Sequence, residues 1–292
     1  MDTSLETGLK ANREVKSTTF SLLFGDDAPA VIDISNTFGG TNYDHNAKVV
    51  FTPLVNALSK GRINDLSFIL DDRLIVLVEH QSSLNNNMAY RMFQYIAETY
   101  RQLHADKDEY RERMFTLQRP KFIVLYNGPD EMSDDAQILR LSDMFAERKP
   151  EDGAVDTGVI DLELTVKMYN INRGRNENMV KRCARLYEYS ILIGRLHQYR
   201  REKLSPEEAA QRAVVDCIDQ NVLKDFLLKH KGRIINMITS EWNMDLALEV
   251  RGEEKALEER LKIAKNLIAQ GLSVDAITKA TGLTVDEVLR LK

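Results

Sequence analysis

The stretch INDLSFILDDRLIVLVEHQSS, at residues 63–83, decides the fold of the chain. Ile63–Leu70 alternates apolar and polar residues with the period of a strand, and Leu74–Val78 is the continuous branched run typical of a strand buried on both faces. Only Asp71–Arg73 separates the two runs, which is the length of a tight turn. The stretch therefore predicts an antiparallel β-hairpin.

A long helix and two further strands complete the predicted α/β core. The helix follows the hairpin from about Asn86 to Leu103, and five of its side chains fall on one face at helical spacing: Met88, Met92, Tyr95, Ile96 and Thr99. Lys121–Tyr126 (KFIVLY) predicts a third buried strand, and Val155–Leu164 predicts a fourth. Residues 1–60 are expected to be mainly helical.

The second half of the chain is predicted to be helical throughout. From Asn176 onward the pattern indicates helices separated by brief breaks, near residues 176–200, 206–231, 233–248 and 252–270. We divide the chain into a core at 1–205, a helical extension at 206–250 and a C-terminal tail at 251–292.

The tail has the spacing of a helix-turn-helix. Gly271 is predicted to end one helix and Ser273 to cap the next, which ends at Gly282. Thr284 and Glu287 then form a capping box for the last helix. Because that helix begins with acidic residues rather than hydrogen-bond donors, packing or self-association into a homo-oligomer is an alternative to reading the major groove.

Composition narrows the class of protein. The 292 residues are 43% hydrophobic, with only 14 glycines and 6 prolines, so a sizeable core is expected and long disordered stretches are not. The two cysteines, Cys183 and Cys217, lack both a disulfide framework and CxxC zinc spacing. No signal peptide or membrane span is recognisable, which predicts a cytoplasmic protein without membrane contact.

The net charge of −5 excludes a positive field over the whole molecule. Contact with nucleic acid would need local basic patches or bound metal ions. Arginines and lysines do cluster in two places, at 173–185 and 195–203, and each cluster fits either a phosphate-tracking surface or a solvated helix face.

Acidic residues mark the two strands of the hairpin as a candidate site. Asp65 lies in the first strand, whereas Glu79 and Gln81 end the second and point to the same side because they are two residues apart. Converging buried carboxylates are costly unless compensated, and a divalent ion with hard oxygen ligands, Mg²⁺ or Mn²⁺, is the natural partner. Taken alone, the pattern also fits carboxylates solvated at a strand end.

Several segments together resemble the recombination-promoting nuclease/putative transposase family, a branch of the PD-(D/E)xK nuclease superfamily. The likeness spans roughly residues 15–200, and its most specific piece is the EHQS run after an apolar strand. The segments that carry it are Asp65, VLVEHQSS at Val76–Ser83, YRMFQYIAETY at Tyr90–Tyr100, FSLLFGD at Phe20–Asp26, KFIVLYNG at Lys121–Gly128 and NRGRNENMVKRCARLYEY at Asn172–Tyr189.

The resemblance implies a restriction-endonuclease-like core, a mixed central sheet flanked by helices, followed by a helical C-terminal region. It implies that Asp65 and Glu79 bind the metal, with the backbone carbonyl of His80 as a further ligand. Gln81 takes the position of the superfamily's lysine, where it offers neutral hydrogen bonds in place of a cation. The His80 side chain alternates to the other face and is expected to be packed rather than catalytic.

Three further residues are candidates for contact with substrate. Arg91 and Tyr95 lie one turn apart on the helix after the hairpin, and Lys16 precedes the Phe20 segment. Tyr95 fits a core position equally well, and Lys16 fits a surface charge.

The function implied is a Mg²⁺-dependent DNA endonuclease linked to recombination or mobile elements. The alternatives are an inactive nuclease fold that binds nucleic acid or serves in assembly, and a defence nuclease held in check by self-association.

Overall fold

The predicted hairpin is present and forms the middle of the sheet. In the computed structural model, strand β2 (Leu66–Leu70) pairs antiparallel with β3 (Leu74–Gln81), with Leu66 opposite Val78. Asp71 and Asp72 make the turn with φ of 48° and 54°, the positive values that type I′ turns require and that aspartate tolerates. The structure describes residues 18–52, 65–104, 110, 112–146 and 160–291.

The sheet is mixed, with an antiparallel half and a parallel half. It contains six strands in the order β1-β2-β3-β4-β6-β5. Strand β2 pairs antiparallel with both β1 and β3, whereas β3, β4 and β6 run parallel, and β5 returns antiparallel to β6. The remaining strands are β1 (Val49–Phe51), β4 (Arg119–Tyr126), β5 (Ala136–Arg140) and β6 (Thr165–Asn170).

Helices surround this sheet and continue to the C-terminus. Their N-caps include Thr18, Asp27 and Ser205, each of which accepts a hydrogen bond from a backbone N–H of the first turn. The helices of the first part are α1 (Thr19–Phe24), α2 (Ala28–Phe38), α3 (Met88–Leu103), α4 (Glu177–Val180), α5 (Ala184–Arg201), α6 (Pro206–Asp219) and α7 (Lys224–Ala269).

The two faces of β3 pack against different helices. Ile75 and Leu77 belong to the core beneath α3, together with Met92 and Tyr95 of that helix. His80, on the alternate face, contacts Phe20 of α1. Because side chains alternate along a strand, Glu79 and Gln81 share the α3 face with Ile75 and Leu77, as the pattern predicted.

Three predictions of secondary structure were wrong. The helix predicted near residues 206–231 is interrupted between Asp219 and Lys224. Ile160–Leu164, the described part of the predicted fourth strand, is not a strand; the strand begins at Thr165, and its Val166 and Met168 are buried in the core beneath α3. The helix breaks predicted near 232 and 250 do not exist, because α7 runs without interruption for 46 residues. Open space surrounds Gly232 and Gly252, so nothing forces a turn there.

The predicted helical character of the first 60 residues is only partly correct. Helices α1 and α2 are present, but Val49–Phe51 forms a strand that pairs with β2. Residues 53–64 lie outside the described part of the chain.

The chain divides into two compact units, Met1–Met237 and Ile238–Lys292. In the second, Gly271 and Gly282 adopt φ of 80° and 71° at the predicted helix ends. Ser273 caps α8 (Val274–Thr281), and Thr284 forms the predicted capping box of α9 (Val285–Leu289). The helix-turn-helix spacing is thereby confirmed, whereas the three-part division at 205 and 250 stays a prediction.

The structure can be compared with the predictions about the cysteines and about membrane spans. Cys183 and Cys217 are buried free thiols. No helix in the described part of the chain combines the length and the apolarity of a membrane span.

Candidate active site

The hairpin register brings Asp65 next to the end of β3. Asp65 directly precedes Leu66, which pairs with Val78, so the chain positions of Asp65 and Glu79 lie opposite each other. Oδ2 of Asp65 accepts a hydrogen bond from the backbone N–H of His80 over 2.8 Å. Its other oxygen accepts from the hydroxyl of Thr18 over 3.5 Å. The two carboxylates predicted to converge therefore do so.

Glu79 is almost completely buried, with 2% of its surface exposed. Its Oε2 accepts from Nη2 of Arg91 at 3.0 Å and from Nε2 of Gln81 at 3.4 Å. Its Oε1 is buried and has no hydrogen-bond partner among the residues that the structure describes. Because an unpartnered buried carboxylate oxygen is costly, this atom has capacity for one further partner.

The surroundings of both carboxyls favour their protonated forms in the absence of a metal. Burial, followed by repulsion from Asp65, raises the pKa of Glu79 to about 8, although Arg91 opposes this. Burial likewise raises the pKa of Asp65 to about 6, against the hydrogen bond from His80 N–H. Two acids shifted in this way are typical of functional sites, since structural carboxylates are normally fully paired.

Arg91 and Tyr95 reach the same site from α3. Nη2 of Arg91 bridges Glu79 and the hydroxyl of Tyr95, the latter at 3.2 Å, and the guanidinium lies 5.9 Å from the Tyr95 ring centre. Tyr95 is fully buried, so its ring belongs to the core and only its hydroxyl faces the charged groups. The structure thus joins Asp65, Glu79, Gln81, Arg91 and Tyr95 in one cluster.

His80 turns away from this cluster, as its alternation predicted. Its ring stacks on Phe20 with centroids 5.2 Å apart, and its Nε2 lies 3.2 Å from the hydroxyl of Tyr189 in α5. Burial lowers the pKa of His80 to about 4, which keeps the ring neutral near pH 7. A neutral packed ring fixes the strand end but is poorly placed to act as a base on the α3 face.

Two contacts hold the end of β4 beside the site. A Cβ on Gly128 would lie 1.9 Å from the carbonyl oxygen of Ser82, so only glycine fits between these backbones. The backbone N–H of Asn127 donates to the carbonyl of Gln81 over 3.1 Å, and Nε2 of His197 lies 2.6 Å from the Asn127 carbonyl. The turn after β4 therefore fixes the backbone that carries Gln81.

Sequence reasoning missed Thr18, Gly128, Tyr189 and His197. The only signal available was the turn Asn127-Gly128-Pro129 directly after a buried strand, which marks Gly128 as special. Thr18, Tyr189 and His197 lie far along the chain from the hairpin, and no local pattern indicates where they pack.

The remaining predicted substrate contacts are Lys16 and the two basic clusters. Lys16 lies outside the described residues. In the basic clusters, several cations form ion pairs with neighbouring acids: Arg175 with Asp135, Lys181 with Glu177, Arg185 with Asp27 and Arg195 with Asp216. Exposed ion pairs are weak, so these cations could exchange their acidic partners for phosphates. Phosphate contact by the two clusters therefore stays a prediction.

The fold and the site define a mixed α/β protein that holds one buried and one half-buried carboxylate beside an arginine, with a helix-turn-helix at its C-terminal end. Residues 70–166 match the family model described as "Putative transposase, YhgA-like". Residues 257–292 match the one described as "Rpn/YhgA-like nuclease family, C-terminal HTH domain". Both matches support the resemblance to the recombination-promoting nuclease/putative transposase family that the motifs indicated.

The first match includes Glu79, Gln81, Arg91 and Tyr95 but begins after Asp65. The comparison with curated proteins and the comparison with solved structures each found no match.

Proposed function

We propose that the protein is a metal-dependent DNA endonuclease that hydrolyses phosphodiester bonds with a PD-(D/E)xK-type core. The observation that carries this proposal is the convergence of Asp65 and Glu79 at the end of β3, with Oε1 of Glu79 buried and unpartnered. The family matches support it, because one of the matching models is described as belonging to a nuclease family.

The residues present fit a Mg²⁺ or Mn²⁺ ion. Asp65, Glu79 and the backbone carbonyl of His80 would hold it, and all three offer the hard oxygen donors that these ions prefer. In the described part of the chain, no group of three or more His, Cys, Asp or Glu side chains could hold a metal. Water and substrate phosphate would complete the ligands, which is common for Mg²⁺. When bound, such an ion polarises the phosphodiester and lowers the pKa of a bound water.

The neighbouring side chains would orient the reactants. Gln81 shares the α3 face with Glu79, and its amide can position the attacking water through neutral hydrogen bonds. Arg91 would contact substrate, and Tyr95 would act through Arg91 because its ring is buried and its hydroxyl bonds to the guanidinium. Lys16 remains a proposed substrate contact.

The C-terminal helix-turn-helix would contribute DNA contact. Residues 257–292 match a domain named for this motif, and Leu283 and Val288 lie in the small core that holds α8 and α9 together. At the start of α9, the Glu287 carboxylate accepts a hydrogen bond from the backbone N–H of Thr284 in the capping box. Asp286 is therefore the acidic group that would face a DNA backbone there. Self-association into a homo-oligomer is the alternative role of this tail.

One observation favours a second candidate, an inactive nuclease fold that binds nucleic acid or serves in assembly. Arg91 already neutralises Glu79 at 3.0 Å, so the site is partly satisfied without a metal. In that case binding would persist but cleavage would be absent.

Plasmid cleavage separates the two candidates. The full chain is incubated with supercoiled plasmid and Mg²⁺, Mn²⁺ or Ca²⁺, beside Asp65→Asn, Glu79→Gln and the control Asp72→Asn. Asp72 lies in the same hairpin, but its side chain is 67% exposed at the opposite end of β2 and β3. We expect nicking by wild type and the control with Mg²⁺ or Mn²⁺, and at least a hundredfold loss in the two site variants. Equal nicking by all four proteins, or no nicking with any metal, would refute the proposed nuclease activity.

A further inference from the structure

The carboxylate of Glu79 receives two donors on a single oxygen. Nη2 of Arg91 approaches Oε2 from α3 at 3.0 Å, and Nε2 of Gln81 approaches the same atom from β3 at 3.4 Å. The two side chains thus bring different chemistry to one position: Arg91 carries a full positive charge, whereas Gln81 is neutral.

The guanidinium of Arg91 uses few of its donors. Within the described part of the chain, Nη2 bonds to Glu79 and Tyr95, Nη1 has only the sulfur of Met88 at 3.5 Å, and Nε is buried without a partner. Because arginine offers five N–H donors in a planar fork, a buried guanidinium with this pattern has capacity for one more bidentate acceptor. Its side chain is 17% exposed, so an acceptor can reach it from solvent.

A phosphodiester is the acceptor that this geometry suits. It would enter a site where two carboxylates face one arginine, so it needs a cation close to its own oxygens. A divalent ion on Asp65 and Glu79 would replace Arg91 as the partner of Glu79. The guanidinium of Arg91 would then be available to a phosphate that lies within reach of its side chain.

We propose that Arg91 changes partner during the reaction: it is the hydrogen-bond donor to Glu79 before metal binding, and afterwards it is the cation that holds the scissile phosphate. This rests on the proposed nuclease function, which it deepens by assigning the charge that the neutral Gln81 cannot supply. Arg91 is then a catalytic residue, and its role is to contact the phosphate as negative charge develops on it.

The test moves the charge from α3 to β3. Wild type, Arg91→Gln, Gln81→Lys and the double variant Gln81→Lys/Arg91→Gln are compared as full chains for plasmid nicking with Mg²⁺. A lysine at 81 would place its ammonium near the same Glu79 oxygen. We expect Arg91→Gln to slow nicking about 100- to 1,000-fold, the usual effect of losing one donor to the developing charge. We expect the double variant to recover at least tenfold over Arg91→Gln.

Two binding measurements accompany the cleavage assay, and each variant is first shown to unfold cooperatively. Mn²⁺ affinity is measured by titration calorimetry and corrected for the protons that binding releases, because loss of Arg91 also raises the pKa of Glu79. Affinity for a short DNA duplex is measured in Ca²⁺. Arg91→Gln should bind Mn²⁺ at least twofold more tightly, because a competing cation is gone, and DNA about tenfold more weakly, because one charged phosphate contact is gone. A purely structural arginine would give weaker Mn²⁺ binding, since Glu79 would lose its support.

The outcomes separate this inference from the proposed function. If wild type cuts nothing with any metal, the nuclease proposal fails, and the inference is judged on the two affinities alone. Arg91→Gln with unchanged or weaker Mn²⁺ binding overturns the partner change. A cooperatively folded double variant that binds Mn²⁺ yet nicks no faster than Arg91→Gln overturns the role of the charge.

Discussion

The backbone N–H of His80 donates to Oδ2 of Asp65 over 2.8 Å, so the main chain of one strand holds the side chain that precedes the other. The bond fixes Asp65 beside the carbonyl of His80 and the carboxylate of Glu79 without help from a cation. One of the proposed metal ligands is therefore held in place by the hairpin before any ion binds.

The raised pKa values of the site predict that stability falls as pH rises. Burial raises the folded pKa of Glu79 from 4.5 to about 8, so the folded state keeps a proton that the unfolded state releases. This stabilisation is complete below pH 4.5 and is lost as pH rises through about 8. We expect a decrease in the free energy of unfolding of about 1–2 kcal/mol between pH 6.5 and 8 without metal.

Denaturant titrations across that window measure this decrease. Glu79→Gln should flatten the dependence, and Mg²⁺ should counteract the decrease because it binds the deprotonated carboxylates. Asp72→Asn should retain the wild-type slope. An identical slope in Glu79→Gln would show that Glu79 does not titrate in this range.

Opposite titration of two histidines tests the packing behind the site. Burial lowers the pKa of His80 to about 4, whereas a hydrogen bond to the carboxylate of Asp33 raises the pKa of the exposed His45. NMR titration of the ring protons should show His45 charged and His80 neutral at pH 5.5. Tyr189→Phe should leave His80 neutral, because its burial rather than its partner is the main cause. A His80 resonance titrating above pH 6 would contradict the stacked geometry.

Protonation of His80 changes the stability of the fold with pH in the opposite direction to protonation of Glu79. Because its folded pKa lies below the unfolded value of 6.5, its contribution to stability is present above pH 6.5 and is lost as pH falls toward 4. The effect is opposite to that of Glu79, which is why the carboxyl test above starts at pH 6.5.

Replacing Gly128 should damage the site and the fold together. The new Cβ would lie 1.9 Å from the Ser82 carbonyl oxygen, so the backbone next to Gln81 must move. We expect Gly128→Ala to cost about 2–3 kcal/mol of stability, the usual range for overpacking, measured by denaturant unfolding. Gly232→Ala is the matched control, because open space surrounds Gly232 within α7. That substitution should stabilise by about 0.5–1 kcal/mol, and a similar loss in both variants would argue against a specific clash.

The capping box of α9 predicts a local effect of Thr284→Ala. The Thr284 hydroxyl accepts from Glu287 N–H, and the Glu287 carboxylate accepts from Thr284 N–H at 2.7 Å. Loss of the hydroxyl should cost about 1 kcal/mol. Hydrogen exchange should accelerate in α9 while β3 stays protected, and Thr284→Ser should behave as wild type. Equal acceleration in β3 would show that the effect is not local.

The sequence was most informative where structure depends on neighbours along the chain. The hairpin, α3 and the caps of α8 and α9 follow from alternation, helical spacing and glycine at positive φ, all of which are local. From these, Asp65, Glu79 and Gln81 could be placed together, and His80 on the other face.

Long-range pairing decided what the pattern could not indicate. The segment TVKMYN of β6 contains only two aliphatic side chains, Val166 and Met168. It is a strand because it pairs with β4 and β5 and buries both of these side chains in the core. In α7, a glycine costs only about 1 kcal/mol, which the flanking helix formers outweigh, so the predicted breaks do not occur. The ion pair of Arg91 with Glu79 likewise depends on how α3 packs over the sheet.

The alkylation rates of the two buried thiols, Cys183 and Cys217, can measure local unfolding of the helices around the sheet. Burial raises the pKa of Cys183 to about 12 and that of Cys217 to about 11, so almost no thiolate exists at neutral pH. Cys183 also lies 3.7 Å from the carbonyl oxygen of Ala30, which joins the start of α5 to α2. Alkylation of either sulfur must therefore wait for local unfolding, and its rate would report in real time how often α5 or α6 leaves its neighbours.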